Sequence, residues 1–198
     1  MDLIYHIFAD DGVESEALAA HGRVVRVGWD VRDNWASECV KADATRLPLK
    51  PGADLALFHP PCGNWASAPS SYDQERLDHP DYIDLCREIG DEVADDYIIE
   101  NVPQAPLRDP VVLNGRMFGA PTHHERAFET TFPTPEPPEE DGEMEMVYWW
   151  NEYKRPKSYW LSCKSYTGEY RKDPLVKAAS PRPYIDWLMR SYYNHYEG

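Results

Sequence analysis

The sequence predicts an α/β fold with a largely parallel sheet, and three observations support this. Runs of β-prone residues alternate with segments of helical spacing through the first half of the chain, which is typical of βαβ units. The chain has 198 residues, of which 42% are hydrophobic, enough for one buried core. Its apolar runs, such as Leu55–Phe58, are far shorter than the ~20 residues of a membrane span. We therefore expect no membrane partner.

Four short runs are predicted to be strands, because each combines apolar and β-prone residues and stops at turn residues. They are Leu3–Phe8, Arg23–Trp29, Ala53–His59 and Asp96–Glu100. Ligands of a parallel sheet bind beyond the carboxyl ends of its strands. The loops that follow these runs are therefore predicted to line one crevice.

Two helices are predicted between these strands. The first starts near Val13, with Asp10 or Asp11 as its cap, and ends at Gly22. The second covers Asp78–Ala94, where the apolar residues recur at helical spacing and predict one buried face. Its members are Ile83, Cys86, Ile89 and Val93.

The second half of the chain changes composition. Residues 1–132 are predicted to form the core domain, and residues 133–147 an acidic, proline-rich linker or loop. A C-terminal helix within residues 184–198 is predicted to complete the core with four inward-facing residues. These are Ile185, Leu188, Met189 and Tyr192.

A small basic and aromatic segment lies between the linker and the last helix, at residues 148–183. From Asn151 to Arg182 it has eight basic and three acidic residues, with aromatic residues interleaved. This composition is typical of a nucleic-acid contact surface. A β-rich subdomain with an aromatic core and a basic face would give the same pattern, and both interpretations stay open.

The overall charge is −15, with 35 acidic and 20 basic residues, seven of them lysine. Such a surface repels phosphates at low salt, and it suggests a halophilic protein of a salt-rich cytoplasm, where charge is screened. The four cysteines form no CxxC pair, so we expect reduced thiols and no metal site. The oligomeric state is left open.

Two motifs carry the candidate chemistry. His59-Pro60-Pro61-Cys62 places a thiol on a stiff turn at a strand end, and Glu100-Asn101-Val102 places a carboxylate at the end of the next strand. A thiol and a carboxylate in one crevice can serve as nucleophile and acid. A histidine could instead make Cys62 the nucleophile of a hydrolase, a less favoured alternative. The candidates are His59, His79 and His123.

The order of these motifs, followed by NGRMFG and HERAFET segments, resembles the cytosine-5 DNA methyltransferases, especially the short versions of bacterial and archaeal viruses. The likeness covers roughly Leu3–Phe132. It implies a Rossmann-like fold that uses S-adenosylmethionine (SAM), and a flipped cytosine in double-stranded DNA as substrate. Virus-encoded methylation or a restriction-modification role would fit it.

The resemblance assigns the site residues. Cys62 is the nucleophile toward cytosine C6, Glu100 binds N3 and the exocyclic amine, and Arg126 contacts O2. Cofactor contacts fall on Phe8, Asp10 and Gly12 of the first loop, Asp30 at the ribose, Asp43 at the adenine amine, and Pro60. No residue is assigned to a metal.

Four features depart from the family pattern. Asp10 replaces a glycine of the first loop, Gly63 follows the cysteine, and His124 replaces the first arginine of the Arg-x-Arg motif. A late Gly-Asn motif is not visible in Tyr184–Gly198. Asp10 and the missing late motif favour the alternative of a non-catalytic module that binds DNA or protein. An enzyme acting on RNA or a nucleotide is a further alternative, because it would use the same flipped-base pocket.

Overall fold

Seven strands form one sheet in the order β3-β2-β1-β4-β5-β7-β6. The computed structural model describes residues 2–46, 49–66 and 80–197. Strands β1 to β5 pair in parallel, whereas β7 runs antiparallel to both β5 and β6. The strands are β1 (Asp2–Ile7), β2 (Gly22–Gly28), β3 (Glu38–Lys41), β4 (Ala53–Phe58), β5 (Ala94–Asn101), β6 (Val111–Leu113) and β7 (Arg126–Thr130).

Helices cover both faces of the sheet, which is why its central strands are apolar on both sides. They are α1 (Ser15–Leu18), α2 (Ile83–Val93), α3 (Trp149–Glu152), α4 (Lys157–Lys164) and α5 (Arg182–Glu197). Two short turns are also helical, a 3-10 turn at Gly115–Phe118 and a π turn at Pro174–Ala178. In the described ranges, no helix is long and apolar enough to cross a membrane.

The strand predictions are confirmed for β1, β2, β4 and β5, with ends shifted by one or two residues. Helix α2 begins only at Ile83, and residues 78 and 79 of its predicted range lie outside the described residues. Its four predicted core residues are all buried, as are the four of α5. Helix α5 is slightly longer than predicted, at Arg182–Glu197.

The first helix departs most from the prediction. It has only four residues, Ser15–Leu18, and Glu14 occupies its N-cap position without a side-chain capping bond. The predicted caps have other partners: Asp10 accepts a hydrogen bond from the Asp30 amide, and Asp11 pairs with Arg171. Ion pairing therefore replaces the predicted capping of this helix.

Residues 148–183 contain helices α3 and α4, the π turn and the start of α5, joined by irregular segments, so the β-rich alternative is wrong. Every residue of this stretch is described, and none lies in a strand. Trp160, Tyr166 and Tyr170 join the hydrophobic core on one face of the sheet, together with residues of α5. Lys164 is also buried, and its Nζ donates to the Val176 and Ala179 carbonyls at 3.1 and 2.5 Å. Only part of the basic segment is therefore available to a partner.

Residues 133–146 form an irregular loop, as predicted. Its acidic residues are not simply solvated, because Glu140 accepts a hydrogen bond from Asn114 at 2.6 Å. The Arg116 guanidinium donates to the Gly142 carbonyl at 2.6 Å. The loop is thus fastened to the 3-10 turn beside the sheet.

Candidate active site

A cleft of about 440 Å³ opens at the carboxyl ends of β1, β4 and β5, as the parallel topology predicts. One wall is the loop after β1, and another is the turn after β4. Residues from the π turn close a third side. The predicted site residues among its lining are Phe8, Asp10, Gly12, Pro60, Cys62, Glu100 and Arg126.

Cys62 lies at the surface of this cleft on the turn that follows β4. Its backbone carbonyl accepts hydrogen bonds from Trp65 and Ala66, both at 3.0 Å. The Asn101 side chain holds the start of the turn by donating to the Pro60 carbonyl at 3.2 Å. Two prolines and these bonds fix the direction of the thiol.

The pKa of the Cys62 thiol is raised above its ordinary value. The atoms that crowd it remove part of its hydration, which disfavours the thiolate. The positive charge of Arg126 lowers the pKa, and the carboxylate of Glu100 raises it. The isolated protein therefore holds Cys62 as a thiol at neutral pH.

Glu100 is buried at the base of the cleft between two basic groups. His59 Nδ1 donates to its Oε2 at 2.9 Å, and Arg126 Nε lies 2.6 Å from its Oε1. Burial raises the pKa of Glu100, but the bond from His59 and the charge of Arg126 outweigh it, so the pKa lies below its usual value. Glu100 is therefore ionised and fixed in orientation.

The two carboxylate oxygens of Glu100 differ in their hydrogen bonding. The contact of Arg126 with Oε1 lacks hydrogen-bond geometry, so Oε1 has no hydrogen-bond donor among the described residues. This oxygen remains able to accept a hydrogen bond from a ligand.

Arg126 is the first residue of β7, whose antiparallel pairing with β5 brings it next to Glu100. Its guanidinium also donates to the Lys177 and Ala178 carbonyls, at 3.1 and 3.2 Å. The π turn therefore holds Arg126 at the cleft.

The loop after β1 is shaped by a buried arginine. Arg26 of β2 donates to the Ala9 carbonyl at 3.1 Å and also to the Asp10 carbonyl. Gly12 has a φ of +58°, and a Cβ there would lie 2.3 Å from Arg26 Cδ. Gly12 is thus required by both its backbone conformation and the close approach of Arg26.

The remaining predicted cofactor residues lie farther along the same edge of the sheet. Asp30 follows β2, and its carboxylate contacts Arg171 at 3.0 Å. Asp43 follows β3 and accepts hydrogen bonds from Thr45 through its Oδ1, at 3.0 and 2.7 Å. Neither belongs to the described lining of the cleft.

The sequence interpretation missed two groups. His59 was considered only as a hydrolase base, yet it bonds to Glu100. Parallel pairing of Phe58 with Ile99 indicates this contact, since the next pair in register is His59 and Glu100. Arg171 was missed as well. It bridges Asp11 and Asp30 at 2.5 and 3.0 Å, and these residues are 160 and 141 positions away in sequence, so no local pattern reveals the contact. His79 lies outside the described residues.

Solved methyltransferase structures resemble this chain. EhMeth, a methyltransferase of Entamoeba histolytica, matches over 98% of both chains, with a TM-score of 0.64 and 8% sequence identity. A protein assigned as a DNA modification methyltransferase from an E. coli prophage matches 65% of this chain, at 19% identity and a TM-score of 0.45. DNMT2 from Spodoptera frugiperda, in a mutant form, matches 75% of this chain, at 16% identity and a TM-score of 0.46.

The matched regions differ in extent. The chain spans 45% of the prophage protein and 55% of DNMT2. No protein-family model and no curated protein matches the sequence. The full-length likeness to EhMeth and the strand order together confirm that this chain has the Rossmann-like methyltransferase fold that its sequence predicts.

Proposed function

We propose that this chain transfers a methyl group from SAM to C5 of a cytosine flipped out of double-stranded DNA, with Cys62 as the nucleophile. One observation carries the proposal: Cys62, Glu100 and Arg126 line the same cleft as the loop after β1. The relatives whose names mention DNA modification or methyl transfer are consistent with it.

The residues of the first loop fit SAM. A cleft of about 440 Å³ lies within the range for ligand sites of this size. The Phe8 ring lines the cleft, the Asp10 carboxylate can face the ammonium of the cofactor, and Asp30 can accept the ribose hydroxyls. When bound, SAM would supply a sulfonium methyl group to C5 and leave as the thioether S-adenosylhomocysteine.

Cys62 and Glu100 act on different atoms of the cytosine ring. The thiolate of Cys62 forms a bond to C6, which makes C5 nucleophilic toward the methyl group. Glu100 takes up a proton from solvent as the cytosine enters the cleft and donates it to N3 as negative charge develops there, while its Oε1 accepts a hydrogen bond from the exocyclic amine. Arg126 can donate to O2, because its guanidinium is held at the cleft by Glu100 and the π turn.

The last step restores the ring. A base takes the C5 proton, the electron pair re-forms the C5–C6 double bond, and the carbon–sulfur bond breaks to return the Cys62 thiolate. Fluorine in place of that hydrogen blocks this step and leaves the protein attached to DNA.

The adduct experiment tests the function directly. Full-length protein is incubated in molar KCl with SAM and a duplex containing 5-fluorocytosine. We expect a covalent protein–DNA adduct that requires SAM, is absent in Cys62→Ala and persists in Cys39→Ala, a control at another partly exposed cysteine. An adduct with RNA or a free nucleotide alone would reassign the substrate.

The non-catalytic alternative has one observation in its favour, since Arg171 contacts Asp30, the residue predicted to hold the cofactor ribose. Absence of the adduct on varied duplexes and at several salt concentrations, with no SAM binding, would support that alternative. SAM binding measured by calorimetry distinguishes the non-catalytic module from an enzyme whose DNA recognition sequence was not among the duplexes tested.

Replacing Asp30 by asparagine is expected to weaken SAM binding about 10-fold or more, because a charged hydrogen bond to the ribose contributes about 1.5–3 kcal/mol. Calorimetric titration measures this. Asp33→Asn is the matched control, since Asp33 is an exposed aspartate of the same loop. Equal affinities in the two variants would remove Asp30 from the cofactor site.

Adduct formation is expected to accelerate with pH. The raised pKa of Cys62 keeps the thiol protonated at neutral pH, so the thiolate fraction grows about tenfold for each pH unit up to that pKa. Single-turnover rates between pH 7 and 9 should rise with a slope near one on logarithmic axes. A flat profile would show that the thiol is already ionised in the complex.

The DNA is expected to contact the basic segment at residues 148–183. Lys154 and Arg155 are exposed, Lys157 is partly exposed, and Lys177 lines the cleft. Reversing the charge of Lys154, Arg155 and Lys157 together should weaken DNA binding and flatten its salt dependence. Unchanged affinity in a fluorescence-anisotropy titration would refute this docking face.

A further inference from the structure

Three side chains converge behind Glu100, on the face of the sheet that α1 and α5 cover. His6 lies on β1, Glu14 precedes α1, and His59 follows β4. One ligating atom from each lies within 4.8 Å of the other two. Two imidazoles and one carboxylate form a common set of zinc ligands.

Both imidazoles have one nitrogen engaged and one unused. His6 Nδ1 lies 2.7 Å from Ser15 Oγ, and His59 Nδ1 lies 2.9 Å from Glu100 Oε2. The Nε2 atoms of both rings are buried, and neither has a hydrogen-bond partner within the described part of the chain. A buried polar atom without a partner is costly, so a ligand that both atoms could bind would stabilise them.

The engaged nitrogens set the protonation of the rings. A carboxylate can only accept, so His59 carries a proton on Nδ1, and in the neutral ring that a metal requires the Nε2 lone pair is free. Histidines that bind metals have this arrangement, with the second nitrogen donating to a carboxylate or another oxygen. The Glu14 carboxylate is also held in place, because its Oε1 accepts from the Ser180 amide at 2.8 Å.

We propose that His6, Glu14 and His59 form a binding site for a divalent transition-metal ion, with Zn²⁺ as the expected ion. In a tetrahedral zinc site with bonds of 2.0–2.1 Å, the ligand atoms lie about 3.3 Å apart. The three ligand atoms lie within 4.8 Å of one another, so they need to move only slightly closer to bind the ion. Glu14 and His59 also line the cleft, so a fourth position faces its solvent.

Buried charges of both signs surround the cluster. The carboxylates of Glu14 and Glu100 would attract a cation, and the cationic groups near them are Arg26, Arg126 and Lys164. A metal on Nε2 keeps the proton of His59 on Nδ1, toward Glu100. His59 is thereby a positioning residue for the carboxylate in the cleft.

Metal content of the full-length protein tests this proposal. Protein purified without a histidine tag, stripped with a chelator and titrated with ZnCl₂ should take up one equivalent per chain. Glu14→Gln and His6→Asn should lose that equivalent, whereas Glu88→Gln and His21→Asn, matched changes outside the cluster, should keep it. Binding that is absent in the wild type, or equal in all five proteins, would overturn the site.

A second measurement does not depend on whether the variants fold. CoCl₂ added to the stripped wild-type protein should give the visible absorption of a four-coordinate ion with nitrogen and oxygen ligands. A strong near-ultraviolet sulfur-to-cobalt band would place the ion on a cysteine and overturn the assignment. Neither readout requires methyl transfer, so failure of the proposed enzyme activity would leave the metal result intact.

Discussion

Replacing Glu100 by glutamine is expected to slow methyl transfer by about 10²–10⁴-fold, the usual contribution of a positioned acid or base. The amide cannot transfer a proton to N3, although its oxygen can still accept a hydrogen bond from the exocyclic amine. It also leaves Arg126 and His59 without their anionic partner. Single-turnover transfer of a labelled methyl group to DNA measures the loss.

The control for this change is Glu125→Gln, which removes a neighbouring exposed carboxylate. That variant should keep a near wild-type rate, and both variants should bind SAM normally. A rate for Glu100→Gln within a few-fold of wild type would mean that the carboxylate has no part in the chemistry.

Replacing Arg87 by methionine is expected to lower the free energy of unfolding by about 3–5 kcal/mol, the cost of breaking a buried ion pair. Arg87 of α2 and Glu129 of β7 are both buried, and two hydrogen bonds of 2.8 and 2.7 Å join them. The substitution leaves the Glu129 carboxylate with only the Arg108 amide, at 2.7 Å, as a described donor. Urea unfolding followed by circular dichroism measures the change.

Two further variants identify the cause of that loss. Arg87→Met combined with Glu129→Leu should recover much of the stability, because an apolar pair replaces the unpaired charge. Arg155→Met should shift the unfolding midpoint little, since its pair with Glu152 is exposed. If the double variant is no more stable than Arg87→Met, packing rather than charge accounts for the loss.

The parallel part of the sheet could be predicted because its strands are apolar and end at distinct turn residues. Strands β3, β6 and β7 could not, because they have only three to five residues and depend on pairing with their neighbours. The first helix was predicted too long because its acidic residues resemble caps. They serve as long-range anchors instead: Glu16 accepts from the Thr167 amide, 151 residues away in sequence, at 2.9 Å.

The positions of the site residues could be predicted where those residues lie at the ends of strands. Cys62 and Glu100 follow neighbouring strands, so their meeting in one cleft follows from parallel topology, although their chemical roles remain predictions. The His6–Glu14–His59 cluster could not be foreseen from spacing. The register of β1 beside β4 places His6 and His59 on one face, and Glu14 comes from the N-cap position of α1.

The long-range anchors also determine when the cleft can form. Arg171, Lys177 and Ala178 line it, and Ser180 bonds to Glu14 across 166 residues of sequence. A chain emerging from the ribosome therefore lacks one wall of the cleft until this late segment is synthesised and folded. Contacts of such separation slow folding. During synthesis, the Cys62 thiol would be present well before the cleft around it is complete.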